Sequence, residues 1–427
     1  MTGGALAANV LNYVFHFALS RRLGPVGYGE LGTLLAIAVV VSVIGLTAGT
    51  LTMQETARFW AQHRDADIAT FGKRAVRWSA LLGAIVGAVT LAAAYPLARY
   101  LHIESPLAWL MLAVALALGI GANSARGAAQ GGHRFAVYAA SVVGESAVKL
   151  VVGFALVALG FGVGGAMCGV ATGLGVGGAI AIAPLLAAAR GASSSSSLID
   201  ERADRFRRPA LQLTIIYAAS TALLYVDLLF AKHALSGTDA GYYTAAGTLA
   251  RVIPFGLGLL VPLVTPKAVA ARHAQRGALA HLLAVTFGAA LAGAIGALAV
   301  AQLWPGALIA VTFGKQFAPA APLLRLYAID TALMGLGTLG YSYLAGIGEY
   351  AVARWLVVTV IAEAGCMAWF GTTAVRLLAV AIVGNALVLP VVAAYVVRSL
   401  THSPQAPAGP LAEGTPSSTN TPELPLP

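Results

Sequence analysis

Arg21-Arg22-Leu23-Gly24-Pro25-Val26-Gly27-Tyr28-Gly29-Glu30 returns in altered form 214 residues later, as Leu235-Ser236-Gly237-Thr238-Asp239-Ala240-Gly241-Tyr242-Tyr243. Gly27 aligns with Gly241 and Tyr28 with Tyr242, and the same offset pairs Ala57 with Ala271 and Arg58 with Arg272. Each copy is a polar hairpin leading into an apolar stretch of membrane length. Such a unit, occurring twice, reads as two similar halves folded in a bilayer, an arrangement common in transporters.

Composition agrees. Of 427 residues, 59% are hydrophobic and 10% charged, and the mean hydropathy is +0.83. Ordinary soluble domains carry about 25% charged residues, so this chain lacks the polar surface to face water all round. Apolar stretches long enough to cross a ~30 Å hydrocarbon core recur along it, and about twelve can be counted. They run over 3–20, 29–53, 76–98, 106–127, 135–159, 163–189, 210–234, 241–268, 279–302, 319–345, 352–371 and 375–398. No cleavable signal stands out, because the first apolar segment leads straight into the repeated motif. Cys168 and Cys366 both lie in apolar segments and suggest neither a disulfide nor a metal framework.

The distribution of Lys and Arg orients these spans. With the N-terminus in the cytoplasm, seventeen of them fall inside, among them Arg58, Lys73, Arg126, Arg190, Arg205, Lys267, Arg272 and Arg398. Six fall outside: Arg21, Arg22, Arg99, Lys232, Lys315 and Arg376. The positive-inside rule therefore puts both termini in the cytoplasm, with the chain expected in the plasma (inner) membrane. The net charge of +10 expresses this bias toward an anionic leaflet, and nucleic acid is not needed to explain it.

The serine run Ser193–Ser197 and the mixed charges from Asp200 to Arg208 mark a solvated joint. Six spans lie on each side, and an even number per repeat makes the halves parallel. Pro106 with Pro322, Gly119 with Gly335 and Gly132 with Gly348 repeat at an offset of 216. The expected organisation is an N-terminal six-helix lobe over 1–190, a cytoplasmic linker over 191–209 and a C-terminal six-helix lobe over 210–400. A proline-rich tail over 401–427 is expected to be disordered. The fold class is thus an all-α polytopic membrane protein, two parallel-repeat lobes around a central cavity. Gly165, Gly169, Gly173 and Gly177, four apart on the sixth span, suit close helix packing in lipid.

Charged groups inside spans cost about 3 kcal/mol each on insertion scales and mark a pathway or a paired network. Here they are Glu145, Lys149, Asp227, Arg251, Arg325, Asp330 and Glu363. Ser141, Glu145 and Lys149 share one face of the fifth span, where Glu145 and Lys149 can pair. Asn9, Asn12, His16 and Ser20 line one face of the first span. Thr214, Tyr217, Ser220 and Asp227 stripe the equivalent seventh, and Tyr243, Gly247 and Arg251 the eighth. Arg325 and Asp330, five apart and so roughly 140° around a helix, do not pair with each other. Two readings follow. In one, a central cavity receives an anionic headgroup on Arg251, with Arg325, Lys149 or His16, since the planar guanidinium fork suits phosphate. In the other, these charges are interhelical pairs that fix packing, for example Asp227 with Arg251.

The hairpin Arg21, Leu23, Gly24, Pro25, Tyr28 and Gly29 resembles the R-x-L-G-P-x-x-Y-G hairpin of the polysaccharide-biosynthesis flippases, a branch of the multidrug/oligosaccharidyl-lipid/polysaccharide exporter superfamily. Gln130-Gly131-Gly132-His133-Arg134-Phe135 is similar to that family's Q-G-x-x-R-F entry to the fifth span. Asp227 with Gly241, Tyr243, Ala245 and Ala246 resembles the element opening its second half. Phe313, Gly314, Phe317 and Ala320 resemble the segment before its tenth span. The resemblance runs from about residue 5 to 398, and it implies a two-lobed transporter working by alternating access. The implied substrate is a polyprenyl-diphosphate-linked sugar or oligosaccharide carried from the inner to the outer leaflet. Polymerases or glycosyltransferases of surface-polysaccharide synthesis are implied as partners.

The competing reading is a cation-coupled exporter of drugs or small molecules, which Asp227, Asp330 and Glu363 keep open. A membrane enzyme is disfavoured: the expected outer loops are short, and no nucleophile–base pair, nucleotide loop or metal cluster is present in the sequence. No cofactor is expected. Arg251→Ala is expected to abolish flipping while leaving insertion and abundance normal.

Overall fold

The computed structural model describes residues 2–188, 200–258, 260–261 and 276–401. Among them every regular element is helical. α1 spans Thr2–Ala61 and contains one break, Gly24, at φ 66 and ψ −179. That region of backbone space is essentially open to glycine alone. Pro25 then restarts the helix at a position where its missing N–H is no loss. His16 and Tyr28, twelve residues apart, would be about 18 Å apart along a straight helix. Instead their Nδ1 and Oη atoms lie 3.0 Å from each other. The chain folds back at Gly24, so α1 supplies the first two expected spans.

α2 (Asp65–Leu101), α3 (Pro106–Gly131), α4 (Phe135–Ala158) and α5 (Gly162–Ala188) complete the first half. Ser105 caps α3 by accepting the Ala108 N–H at 3.3 Å, with Pro106 beginning the helix. The glycine stripe of α5 faces α4 so closely that a methyl on Gly173 would lie 2.6 Å from the Glu145 carbonyl. Packing within the chain, not with a second copy, uses that stripe.

The second half comprises α6 (Asp200–Ala234), α7 (Gly237–Ala250), α8 (Val252–Gly258), α9 (Arg276–Leu303), α10 (Pro305–Thr312), a 3-10 turn (Lys315–Ala320), α11 (Ala321–Gly346), α12 (Val352–Phe370) and α13 (Ala374–Thr401). The expected eighth span, 241–268, is not one continuous helix. It breaks at Arg251, because Pro254 has no N–H to give the Ala250 carbonyl four residues back. Among the described residues nine helices are long and apolar enough to cross a membrane, and α1 is long enough to cross twice. The Ser193–Ser197 run, Lys267, Arg272 and the tail from residue 402 lie outside the described residues.

The two repeated motifs pack against each other, and this positions the site. A Cβ on Gly29 would lie 2.9 Å from the Gly241 amide nitrogen, so two backbones touch where both halves have glycine. Around this contact Arg21 Nη2 donates to the Val311 carbonyl at 2.6 Å, and Gln316 Nε2 to the Ser20 carbonyl at 3.3 Å. Phe17, Tyr28, Phe313 and Phe317 interlock, their ring centroids 5.3 to 5.8 Å apart. His233 Nδ1 of α6 also donates to the Tyr100 carbonyl of α2 at 2.8 Å, a further tie between the halves. The hairpin end of the molecule is closed by contacts between the halves.

Candidate substrate cavity

Beneath the closed hairpin end lies a cavity of about 290 Å³ between the halves. Asn9, Asn12, Tyr13, His16, Gly32, Leu35, Ala36 and Val39 of α1 and Lys149 of α4 line one side. Tyr225 and Leu228 of α6, Thr248 of α7, Arg251 and Phe255 line the other. The wall is amphiphilic, with two cations facing each other from opposite halves across aromatic and aliphatic groups.

Arg251 is anchored. Its Nε and Nη2 donate to the Leu224 carbonyl at 2.9 and 2.7 Å, and Nη2 also reaches Asp227 Oδ1 at 3.2 Å and Tyr327 Oη at 3.1 Å. Asp227 in turn accepts from Tyr243 at 3.1 Å and from Tyr327. The guanidinium lies 4.6 Å over the Tyr225 ring. A buried ion pair needs this kind of surrounding donor set to offset its desolvation.

Lys149 is held differently. Its Nζ donates to Asn12 Oδ1 and lies 4.8 Å over the Phe15 ring. Among the described residues no carboxylate forms an ion pair with it. Glu145, one helical turn away on α4, attracts this ammonium only at longer range and is itself paired with Arg126, so no carboxylate closes on Lys149.

His16 and Tyr28 tie the wall to the second half. Tyr28 Oη donates to Thr248 Oγ1 at 3.1 Å, and Thr248 donates to the Thr244 carbonyl at 2.8 Å. With its one proton so committed, Tyr28 accepts from His16, which fixes the Nδ1–H tautomer.

Several expected positions are corrected. Glu145 does not pair with Lys149: its carboxylate pairs with Arg126 of α3, which also donates to Ser141 at 2.8 Å. Ser141 in turn donates to the Gly177 carbonyl at 2.7 Å, so Glu145 belongs to a pin between α3, α4 and α5. Arg325 is exposed near the start of α11 and is not part of the cavity wall. Asp330 is buried behind the wall, accepting from Asn385 Nδ2 at 2.9 Å. Glu363 lies in a separate groove between α12 and α13. Of the nine candidates, Asn12, His16, Lys149 and Arg251 line the cavity, and Asp227 contacts it through Arg251. Sequence reasoning passed over Tyr13, Tyr225 and Thr248. Tyr13 and Thr248 were findable, since Tyr13 is three residues before His16 and Thr248 three before Arg251, one helical turn in each case.

A family model described as polysaccharide biosynthesis protein matches residues 1–266, more than half of the chain. The chain belongs to that family. No curated protein matches it. Among solved structures, the inward-facing conformation of a multidrug resistance MATE family transporter of the MOP superfamily is 15% identical, covering 92% of this chain and 95% of that one at a TM-score of 0.76. The outward-facing conformation of a MATE family transporter gives 15% identity, 93% and 94% coverage and a TM-score of 0.67. A MOP superfamily transporter from Pyrococcus furiosus, described as having a binding pocket of reverse polarity, gives 15%, 93%, 94% and 0.66. This polysaccharide biosynthesis family member thus has the fold of the MOP superfamily transporters over nearly its whole length.

Proposed function

We propose that this protein is a flippase that moves a polyprenyl-diphosphate-linked sugar or oligosaccharide from the inner to the outer leaflet, for cell-surface polysaccharide synthesis. The observation that carries the reading is Lys149, a cation without a carboxylate partner, facing Arg251 across an amphiphilic cavity. An excess of positive charge suits a diphosphate and repels a cationic drug. The Tyr13 and Tyr225 rings, one on each side of the cavity, offer apolar faces to a sugar. At about 290 Å³ the cavity is at the lower end of the size range for small-molecule sites, so the polyprenyl tail stays in lipid.

The mechanism is alternating access. The Lys and Arg asymmetry puts both termini in the cytoplasm of a plasma (inner) membrane protein, so the closed hairpin end faces outward and the cavity is loaded from inside. A diphosphate held by Lys149 of the first half and Arg251 of the second engages both halves at once. Its binding energy can then favour the rearrangement that opens the hairpin end. A polymerase or glycosyltransferase consumes the product on the far side.

The test is reconstitution in liposomes with a fluorescent short-chain polyprenyl-diphosphate sugar and a leaflet-accessibility assay. Protein-dependent movement is expected, with Lys149→Gln lowering its rate at least about tenfold. The buried acids Asp330 and Glu363 favour a second reading, a cation-coupled small-molecule exporter. No movement of the sugar lipid, with drug efflux under an ion gradient in parallel vesicles, would establish that reading instead.

A further inference from the structure

Glu363 is 2% exposed, and neither of its carboxylate oxygens has a hydrogen-bond partner among the described residues. Among the described residues these two oxygens are the only fully buried side-chain polar atoms without a partner, whereas Arg251 has Asp227, Arg126 has Glu145 and Asp330 has Asn385. A buried carboxyl without a donor costs free energy unless something supplies one. The carboxyl borders a groove of about 550 Å³ between α12 and α13, nearly twice the volume of the central cavity. Gly384 of α13 makes its place, since a Cβ there would stand 2.9 Å from Glu363 Oε2.

The groove opens sideways. Its rims carry Trp355 and Val358 on α12 and Val383 and Leu387 on α13, all exposed, and on membrane-crossing helices exposed apolar side chains face acyl chains. Glu363 is eleven residues into α12, about 16 Å along the helix and so within the hydrocarbon core. Lipid phosphates do not reach that depth, and an anion would be repelled. What fits is an apolar molecule bearing one cationic hydrogen-bond donor.

We propose that the α12–α13 groove is a lipid-facing binding site for a lipophilic amine, whose ammonium is received by the Glu363 carboxylate. The site is entered from the bilayer, is separate from the central cavity and does not rest on the flippase reading. A low-dielectric surrounding strengthens the charge pair, and the apolar rims receive the chain.

Full-length protein in phosphatidylcholine nanodiscs tests this with dodecylamine as probe. Dicyclohexylcarbodiimide enters lipid and modifies buried carboxyls, and mass spectrometry of the Glu363 peptide reads the product. Saturating dodecylamine is expected to slow Glu363 modification about tenfold, while dodecanol and dodecanoate leave it unchanged. Dodecylamine should also raise the unfolding temperature of the protein but not of Glu363→Gln. Where that variant fails to accumulate, Gly384→Ala, which crowds Oε2, serves the same comparison. Absence of protection overturns the proposal, as does equal protection by dodecanol. Protection that rises with protein concentration alone also overturns it, because a second copy would then fill the groove.

Discussion

Arg251 and Lys149 face one cavity from opposite halves, yet only Arg251 is tied to a carboxylate. Arg251→Ala removes the cation from a buried pair and leaves Asp227 with two tyrosine hydroxyls for company. Leaving one partner of such a pair uncompensated costs about 3 kcal/mol. The variant is therefore expected to lose abundance and thermal stability, as read by size-exclusion profiles after heating. This replaces the expectation from sequence that it would stay abundant. Lys149→Gln has no ion pair to break and keeps a donor for Asn12. Its stability is expected to stay within about 2 kcal/mol of the parent while flipping slows at least about tenfold, because one charge-assisted hydrogen bond becomes a neutral one and no carboxylate is left unpaired. If Lys149→Gln also unfolds the protein, the lysine is structural and the anion site loses its support. Sequence spacing had placed Lys149 and Glu145 together. Four-residue spacing identifies a shared helix face but not the neighbouring helix that reaches it first. Arg126 comes from α3, and its side chain had been counted among the interfacial charges.

At the scale of elements, glycine and proline decide the course of the chain, and these were the most legible parts of the sequence. Gly24-Pro25 reads as a break and restart because only glycine tolerates the one conformation and proline suits the next. Gly24→Ala is expected to destabilise the protein by about 1–3 kcal/mol, measured as a lower midpoint in thermal unfolding. An unchanged midpoint would show that the turn can be made another way. The break at Arg251 was legible too, since Pro254 lay within the expected eighth span, but apolar length outweighed it. Less legible was the α10 segment, too short and uniformly apolar to suggest a role. Its part in closing the hairpin end, with that of the 3-10 turn after it, depends on contacts of Val311 with Arg21 and of Gln316 with Ser20, nearly 300 residues earlier. Glu363 was legible as an intramembrane charge, whereas its groove was not, because α12 and α13 expose apolar residues to lipid and to the protein interior alike. A hydrophobic pattern that separates core from water cannot separate core from lipid.

For the molecule as a whole, the repeated motifs that reveal the two halves are also where those halves meet. Gly29 and Gly241 allow backbone contact, and a Cβ on Gly241 would fall within the Pro25 carbonyl. Gly241→Ala should therefore hold the hairpin end apart and raise the labelling of Thr248→Cys by an impermeant maleimide added from that side. The opposite perturbation tests whether opening is needed at all. A Cβ on Gly237 would lie 3.3 Å from Val26 Cγ1, a separation compatible with a disulfide between cysteines at these two positions. Val26 is 47% exposed, so an oxidant can reach the pair. In a background lacking Cys168 and Cys366, oxidised Val26→Cys/Gly237→Cys protein is expected to bind the sugar lipid yet fail to move it, with reductant restoring transport. Each single cysteine variant should remain active under the same oxidant. Alternating access requires that the contacts among Gly29, Gly241, Arg21 and Gln316 break in every cycle, so a covalent tie across them must stop turnover. Full transport by the cross-linked protein would mean that cargo leaves without separation of the hairpin end, and the two halves would then work as a fixed frame.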